Sequence, residues 1–170
     1  MSVKEVLLLG NPKLYKISSP VKKDEMDQLL PCIQDLHDTL MDFKRKYSAG
    51  RAIAAPQIGV FKRLIYMYID QPTVFINPKL IFPNNVKIEV WDDCMSFPDL
   101  LVKVSRYKEC EIHYHDIHWE QKVMHLENDL SELLQHEYDH LDGKLAISRA
   151  IDPYSFALRS QINSLKKGEK

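Results

Sequence analysis

Cysteine is scarce in this chain, and no hydrophobic run in it is long. Its three cysteines, Cys32, Cys94 and Cys110, cannot all pair with one another. Nothing else implies secretion, so a disulfide framework is not expected and at least one thiol is left for other chemistry. No stretch approaches the about 18 apolar residues of a membrane-spanning helix, and the opening run Val6 to Leu9, next to Glu5, is too short for a secretory signal core. Neither sign of charge dominates: 23 basic residues stand against 24 acidic ones, a formal net charge of -1. No summed field therefore draws the chain to nucleic acid or to an anionic membrane. A Pro/Gly/Ser-rich linker is missing too, so one domain is expected over residues 1–170, long enough to bury most of its apolar surface. These absences describe a soluble, cytoplasmic protein with small or locally recognised partners.

What the chain does contain is His136-Glu137-Tyr138-Asp139-His140, an HExxH pentapeptide in a segment patterned as a helix. Residues four apart lie on one face of a helix, so His136 and His140 can aim two imidazoles at one divalent metal. Glu137, one residue round, can reach a water held there. The pattern is the core of a metal-dependent hydrolase.

The remaining periodicities set the fold class. Leu29, Ile33, Leu36, Leu40 and Phe43 predict a long amphipathic helix capped by Asp24 and ending before Gly50. Leu64, Tyr66 and Tyr68 alternate with Ile65, Met67 and Ile69, residues 73–76 continue in strand formers after Gln71-Pro72, and residues 86–91, 101–104 and 110–114 extend a strand-rich middle. Helical period returns from Leu130 to Leu141, ended by Asp142-Gly143, and a last helix is predicted from Pro153 through Leu158, Ile162 and Leu165. Strands grouped between helices argue α+β rather than alternating βαβ units.

A catalytic site of this kind usually takes three protein ligands and keeps one position for water. His113 and His115 share a strand face, with His118 nearby, but no acid or thiol completes that group, and a solvated face carrying incidental imidazoles accounts for them. Cys110, in a strand, and Cys32, in the first helix, are expected to pack. Cys94 lies where a strand runs into a Pro-marked turn, the kind of element end at which functional groups collect, and is either the third ligand or a buried small residue. The run of small residues from Gly50 to Gly59 lets a ligand approach the main chain closely, and Gln57 within it can donate to a developing oxyanion; a tightly packed helix-to-strand connection is the plain alternative.

Gly50-Arg51-Ala52-Ile53-Ala54-Ala55-Pro56-Gln57, Asp92-Asp93-Cys94-Met95-Ser96 and Gln135-His136-Glu137-Tyr138-Asp139-His140 together resemble the three ordered motifs of the peptide deformylases, GxGxAAxQ, EGCxS and QHExDH. The similarity spans almost the whole chain, including Ile76-Asn77-Pro78 and the segment from His140 to Leu145. It implies a peptide-deformylase-like α+β fold, a strand-rich middle packed around a central HExxH helix with helices at both ends. It also implies that Cys94, His136 and His140 hold one divalent metal, Fe2+ in cells, with Zn2+, Ni2+ or Co2+ able to replace it. The family reaction removes the N-formyl group from the initiator methionine of nascent polypeptides and releases formate. By the resemblance, Glu137 moves the proton from water to the leaving amine, Gln57 and the Met95 backbone N–H receive the formyl oxygen, and backbone groups of Arg51 and Ala52 pair with an N-formylated peptide substrate. A transient ribosome contact through Lys166-Lys167 is conceivable, although a solvated helix terminus explains these lysines more simply; no specific nucleic acid recognition and no membrane are expected.

The chain departs from the pattern near the expected substrate. Ala52 replaces a glycine, and Asp92-Asp93 stands where Glu-Gly is expected. Asp92 can still make the acid contact of the family, to Arg106, but Asp93 disturbs the turn unless it points to solvent. Asp129 and Glu132 fall seven and four residues before His136, on the metal-facing side of a helix that reaches so far. Their D-x-x-E spacing fits an N-terminal capping box, the simpler reading. The sharper reading joins Glu132 to Arg51 in a polar pocket that rejects formyl-methionine. Two functions follow: an active deformylase, or a deformylase-like metalloprotein with altered N-acyl specificity or lost activity. The intact ligands, Glu137 and Gln57 favour the first.

Overall fold

Residues 64–68 are apolar on both sides of an extended chain, and the computed structural model, which describes residues 2–167, shows what each side meets. β1 (Ala52–Ala54), β2 (Leu64–Tyr68) and β3 (Pro72–Ile81) follow α1 (Met26–Tyr47). Leu64 and Tyr66 of β2 pack with Leu36 and Leu40 of α1. Ile65 and Met67, pointing the other way, pack with Phe75 and with Leu134 and Leu141 of α2 (Asn128–Leu141). A strand covered by helices on both faces has no polar side to show, which is why its pattern is apolar throughout.

β4 (Lys87–Asp92), β5 (Leu100–Tyr107), β6 (Glu109–His115), β7 (Gln121–Glu127) and β8 (Phe156–Leu158) complete the strands of the described residues. They form two antiparallel sheets, ordered β1-β2-β3-β6-β7 and β4-β5-β8. The arrangement is the expected α+β class, with α1 and α2 on opposite faces of the larger sheet. A third cluster, Leu14, Cys94, Phe97, Val102, Val104 and Leu145, packs under the smaller sheet and brings the Cys94 turn against the end of α2.

Two helix starts differ from the sequence reading. Asp24 does not cap α1: it lies in a 3-10 turn over Lys23–Glu25, and Glu25 precedes the helix without a side-chain cap bond. The Glu25 carboxylate is engaged elsewhere, accepting from the Lys22 N–H at 2.7 Å and from Lys62 Nζ at 2.8 Å. Nor does a helix begin at Pro153. Residues 156–158 pair with Leu100 to Val102 as β8, and α3 starts only at Ile162. An open edge on β5 supplies backbone partners that a short exposed helix would not, so strand addition overrides the local helical spacing. The Lys166 and Lys167 side chains, on which the ribosome contact depends, lie outside the described residues.

α2 ends as expected at Asp142-Gly143. Gly143 has φ +68°, and a Cβ there would collide with the Tyr15 carbonyl. Gly143→Ala is therefore expected to destabilise the protein by more than about 1 kcal/mol, read from urea unfolding.

Candidate active site

His136 and His140 sit one turn apart on the buried side of α2, and Cys94 comes to them from the turn after β4. His140 Nε2 lies 3.2 Å from His136 Nε2 and 3.4 Å from Cys94 Sγ. Metal bonds of about 2.0–2.1 Å to nitrogen and about 2.3 Å to sulfur, set on a tetrahedron, place donor pairs about 3.3–3.6 Å apart. The three atoms are thus already at the spacing of a metal cage. His136 Nδ1 is 2.8 Å from Asp92 Oδ2, which holds the Nδ1–H on the carboxylate and turns Nε2 inwards, where a bound cation would take the place of its proton. Burial disfavours charge on His136, but Asp92 and Cys94 outweigh it and hold its pKa well above the usual imidazole value. Burial and the neighbouring His136 keep His140 well below that value, neutral and able to ligate. A donor set of one thiol and two imidazoles with this spacing and this acidic support fits a divalent cation.

Asp92 is itself held. Arg106 Nη2 donates to its Oδ2 at 3.1 Å, as the sequence suggested, while Arg106 Nη1 reaches Asp139 at 2.5 Å. Asp139 also receives Arg149 through two bonds of 2.5 and 2.7 Å. The Asp139 and Arg149 contribution was not anticipated, because the variable position of HExxH says nothing of a partner 33 residues away. Gln135 locks α2 to β5, its amide bonding both the N–H and the carbonyl of Tyr107.

Gln57 is buried, and its orientation is decided by its neighbours: Oε1 accepts the Ala54 N–H at 3.0 Å, so Nε2 points at Ser96 Oγ, 3.2 Å away, and Cys94 Sγ, 3.6 Å away. Glu137 is buried beside the triad with Oε2 unpartnered. Burial pushes its carboxyl up to about 7, against the pull of His136. Such a group can exchange a proton near neutral pH.

A cavity of about 330 Å³ opens over Cys94, His136 and Glu137, walled also by Arg51, Ala52, Met95 and Glu132. Ala52 is accommodated because it lies in strand β1 and not among the positive-φ residues. Asp93, at the edge of this cavity, is half exposed and pairs with Arg159 Nη2 at 2.8 Å, so its charge is met outside the donor triad. The capping-box reading of Asp129 and Glu132 fails. α2 is preceded by Glu127 without a side-chain cap, and both acids instead meet Arg51, at 3.0 and 3.4 Å. The helix starts at Asn128, one residue before Asp129, so Asp129 lies inside the first turn and cannot serve as its cap. Burial, reinforced by Asp92, raises the Glu132 carboxyl to about 7.

The other candidates stay apart. Cys110 is fully buried in β6 and Cys32 lies partly buried in α1. His113 pairs with Glu111 at 3.1 Å and His115 stacks on Trp119. Glu109, His125 and Glu127 form a second close group on β6 and β7, which the sequence reading did not connect because only strand register joins them.

Donors spaced for a cation, a carboxylate poised to shuttle protons and an amide aimed across them are suited to activating water against a carbonyl. Fold and site together define a metal-dependent hydrolase. The chain belongs to the polypeptide deformylase family, whose model matches residues 3–155. It is similar to the peptide deformylase of Pseudothermotoga lettingae, 34% identical over 160 residues covering 94% of this chain and 90% of that one. Peptide deformylase 1 of Prochlorococcus marinus is 35% identical over 96% of this chain and 89% of its own length. Among solved structures, the peptide deformylase of Legionella pneumophila superposes with a TM-score of 0.81 at 28% identity, covering 99% of this chain and 98% of that chain. The Thermotoga maritima enzyme gives 0.81 at 28% identity, covering 89% of this chain and 100% of its own.

Proposed function

We propose that this site hydrolyses the N-formyl amide of peptides that begin with formylmethionine and releases formate. The observation that carries the reading is the meeting of Cys94, His136 and His140 from two separate elements at 3.2 and 3.4 Å, with Glu137 on the cavity above them and the Gln57 amide 3.6 Å from Cys94 Sγ. The three residues would hold one divalent metal, Fe2+ in cells and replaceable by Zn2+, Ni2+ or Co2+. When bound, it supplies Lewis-acid polarisation and acidifies water. Glu137 takes the proton of the attacking water and delivers it to the amine nitrogen as the C–N bond breaks, returning to its starting state. Gln57 Nε2 and the Met95 N–H donate to the formyl oxygen as charge builds on it. β1 ends the larger sheet, and because the Arg51 carbonyl already accepts the Tyr68 N–H of β2, it is the backbone of Ala52, the next residue, that can take an extended peptide along the outer edge.

No helix of the described residues is long and apolar enough to cross a membrane. A cytoplasmic enzyme acting as one domain on nascent chains completes the reading. Formate release from formyl-Met-Ala-Ser, measured anaerobically with Fe2+, tests it; absence of release overturns it. Gln57→Ala is expected to lower kcat by about 10²–10³-fold, the cost of one lost oxyanion donor.

A further inference from the structure

The cavity over the donor triad has an ionic wall. Arg51 enters it just before β1, its guanidinium 3.4 Å from Glu132 Oε1 and 3.0 Å from Asp129 Oδ2. The side chain of Glu132 is 13% exposed and that of Arg51 38%, while Asp129, at 74%, sits on the rim. Glu132 precedes His136 by four residues, so it lies on the same face of α2 about 5–6 Å from the ligand. Given the deformylase reading, on which this inference rests, the amide to be cut lies between Glu137 and Gln57. The first side chain of the peptide, a few bonds further on, then enters this cavity, where Arg51 and Glu132 stand beside Lys44 and the apolar Phe43, Met95 and Leu133.

A thioether filling that space strips water from a guanidinium and a carboxyl without replacing the hydrogen bonds. An amide of the same length brings a donor for Glu132 and an acceptor for Arg51. A side chain carrying one full charge matches only half of the pair and opposes the other half. We propose that Arg51 and Glu132 are specificity-determining residues that make the pocket accept an uncharged, hydrogen-bonding first side chain, such as that of glutamine, at least as well as methionine. The ligand class is N-formyl peptides with a polar first residue.

Formyl-Gln-Ala-Ser and formyl-Met-Ala-Ser, nearly equal in length and differing at the side-chain end, give the test with Fe2+-loaded protein. The expected ratio of kcat/KM, glutamine over methionine, is about 1 or more, and in the double variant Arg51→Met with Glu132→Leu it moves towards methionine by at least about tenfold, mainly through KM. Should that variant fail to fold, Arg51→Met alone is expected to shift the ratio in the same direction. Calorimetric binding of Gln-Ala-Ser and Met-Ala-Ser to metal-free protein supplies a readout independent of turnover, with the glutamine peptide binding no more weakly. A wild-type preference for formyl-methionine above tenfold, or a ratio unmoved in the variants, overturns the inference and leaves the deformylase reading standing. No formate from either peptide overturns the deformylase reading, and the calorimetry then decides the side-chain preference by itself.

Discussion

Glu137→Ala is expected to lower kcat for formate release by about 10²–10⁴-fold, the usual contribution of a positioned acid-base group, with metal content unchanged. The two halves of that result are separable because Glu137 is not one of the three clustered donors: Cys94, His136 and His140 keep their 3.2 and 3.4 Å spacing without it. Its Oε2 has no protein partner, so truncation strands no other buried group and the fold should lose little. Formate kinetics paired with metal analysis by mass spectrometry checks both halves. Full activity in the variant would assign the proton transfer to another group, and loss of the metal together with activity would make Glu137 a structural support of the donors.

Asp139→Ala should cost about 3–5 kcal/mol of stability, the penalty for removing one partner of a buried ion pair, and lower Tm by about 6–20 °C in a chain of this size. The Arg106 side chain is 2% exposed, its Nε already lacks a partner, and it shares its remaining donors between Asp139 and Asp92. Without Asp139 it keeps one carboxylate for a charge that water cannot reach. The damage should extend to metal affinity, because Asp92 orients the His136 ring and Arg106 steadies Asp92. Denaturant unfolding gives the stability change and a competitive chelator titration gives the affinity. A loss below about 1 kcal/mol would show that Arg106 had found solvent or a new partner.

Much of this was readable in the amino-acid order, for identifiable reasons. The pairing of His136 with His140 follows from helical geometry alone, and the two-faced apolar pattern of residues 64–68 follows from helices on both sides of a strand. Ligation by Cys94 needed the joint pattern of three motifs, since a lone cysteine at a strand end has several fates. Two of the misreadings arise where a distant partner displaces a local one: Asp129 and Glu132 are taken by Arg51, and residues 156–158 are taken by the edge of β5. The third is local, since a 3-10 turn over Lys23–Glu25 absorbs Asp24 before the helix starts. β7 escaped notice because its outward residues, among them Lys122, Val123 and His125, blur the alternation that marks a strand. β1 is three residues long and left no period to detect.

Residues 2–9 belong to no helix or strand, yet they are stitched across the molecule. Ser2 and Lys4 N–H groups bond Asp38 and Thr39 of α1, the Leu7 N–H bonds the Gln57 carbonyl, and the Leu9 N–H bonds the Ser96 carbonyl. That lead-in therefore acts as a brace behind the two loops that flank the reacting carbonyl. Trimming it, or pulling on it with a bulky fusion, should blunt turnover from a distance while every ligand stays in place, and a tag on this protein belongs at the other end.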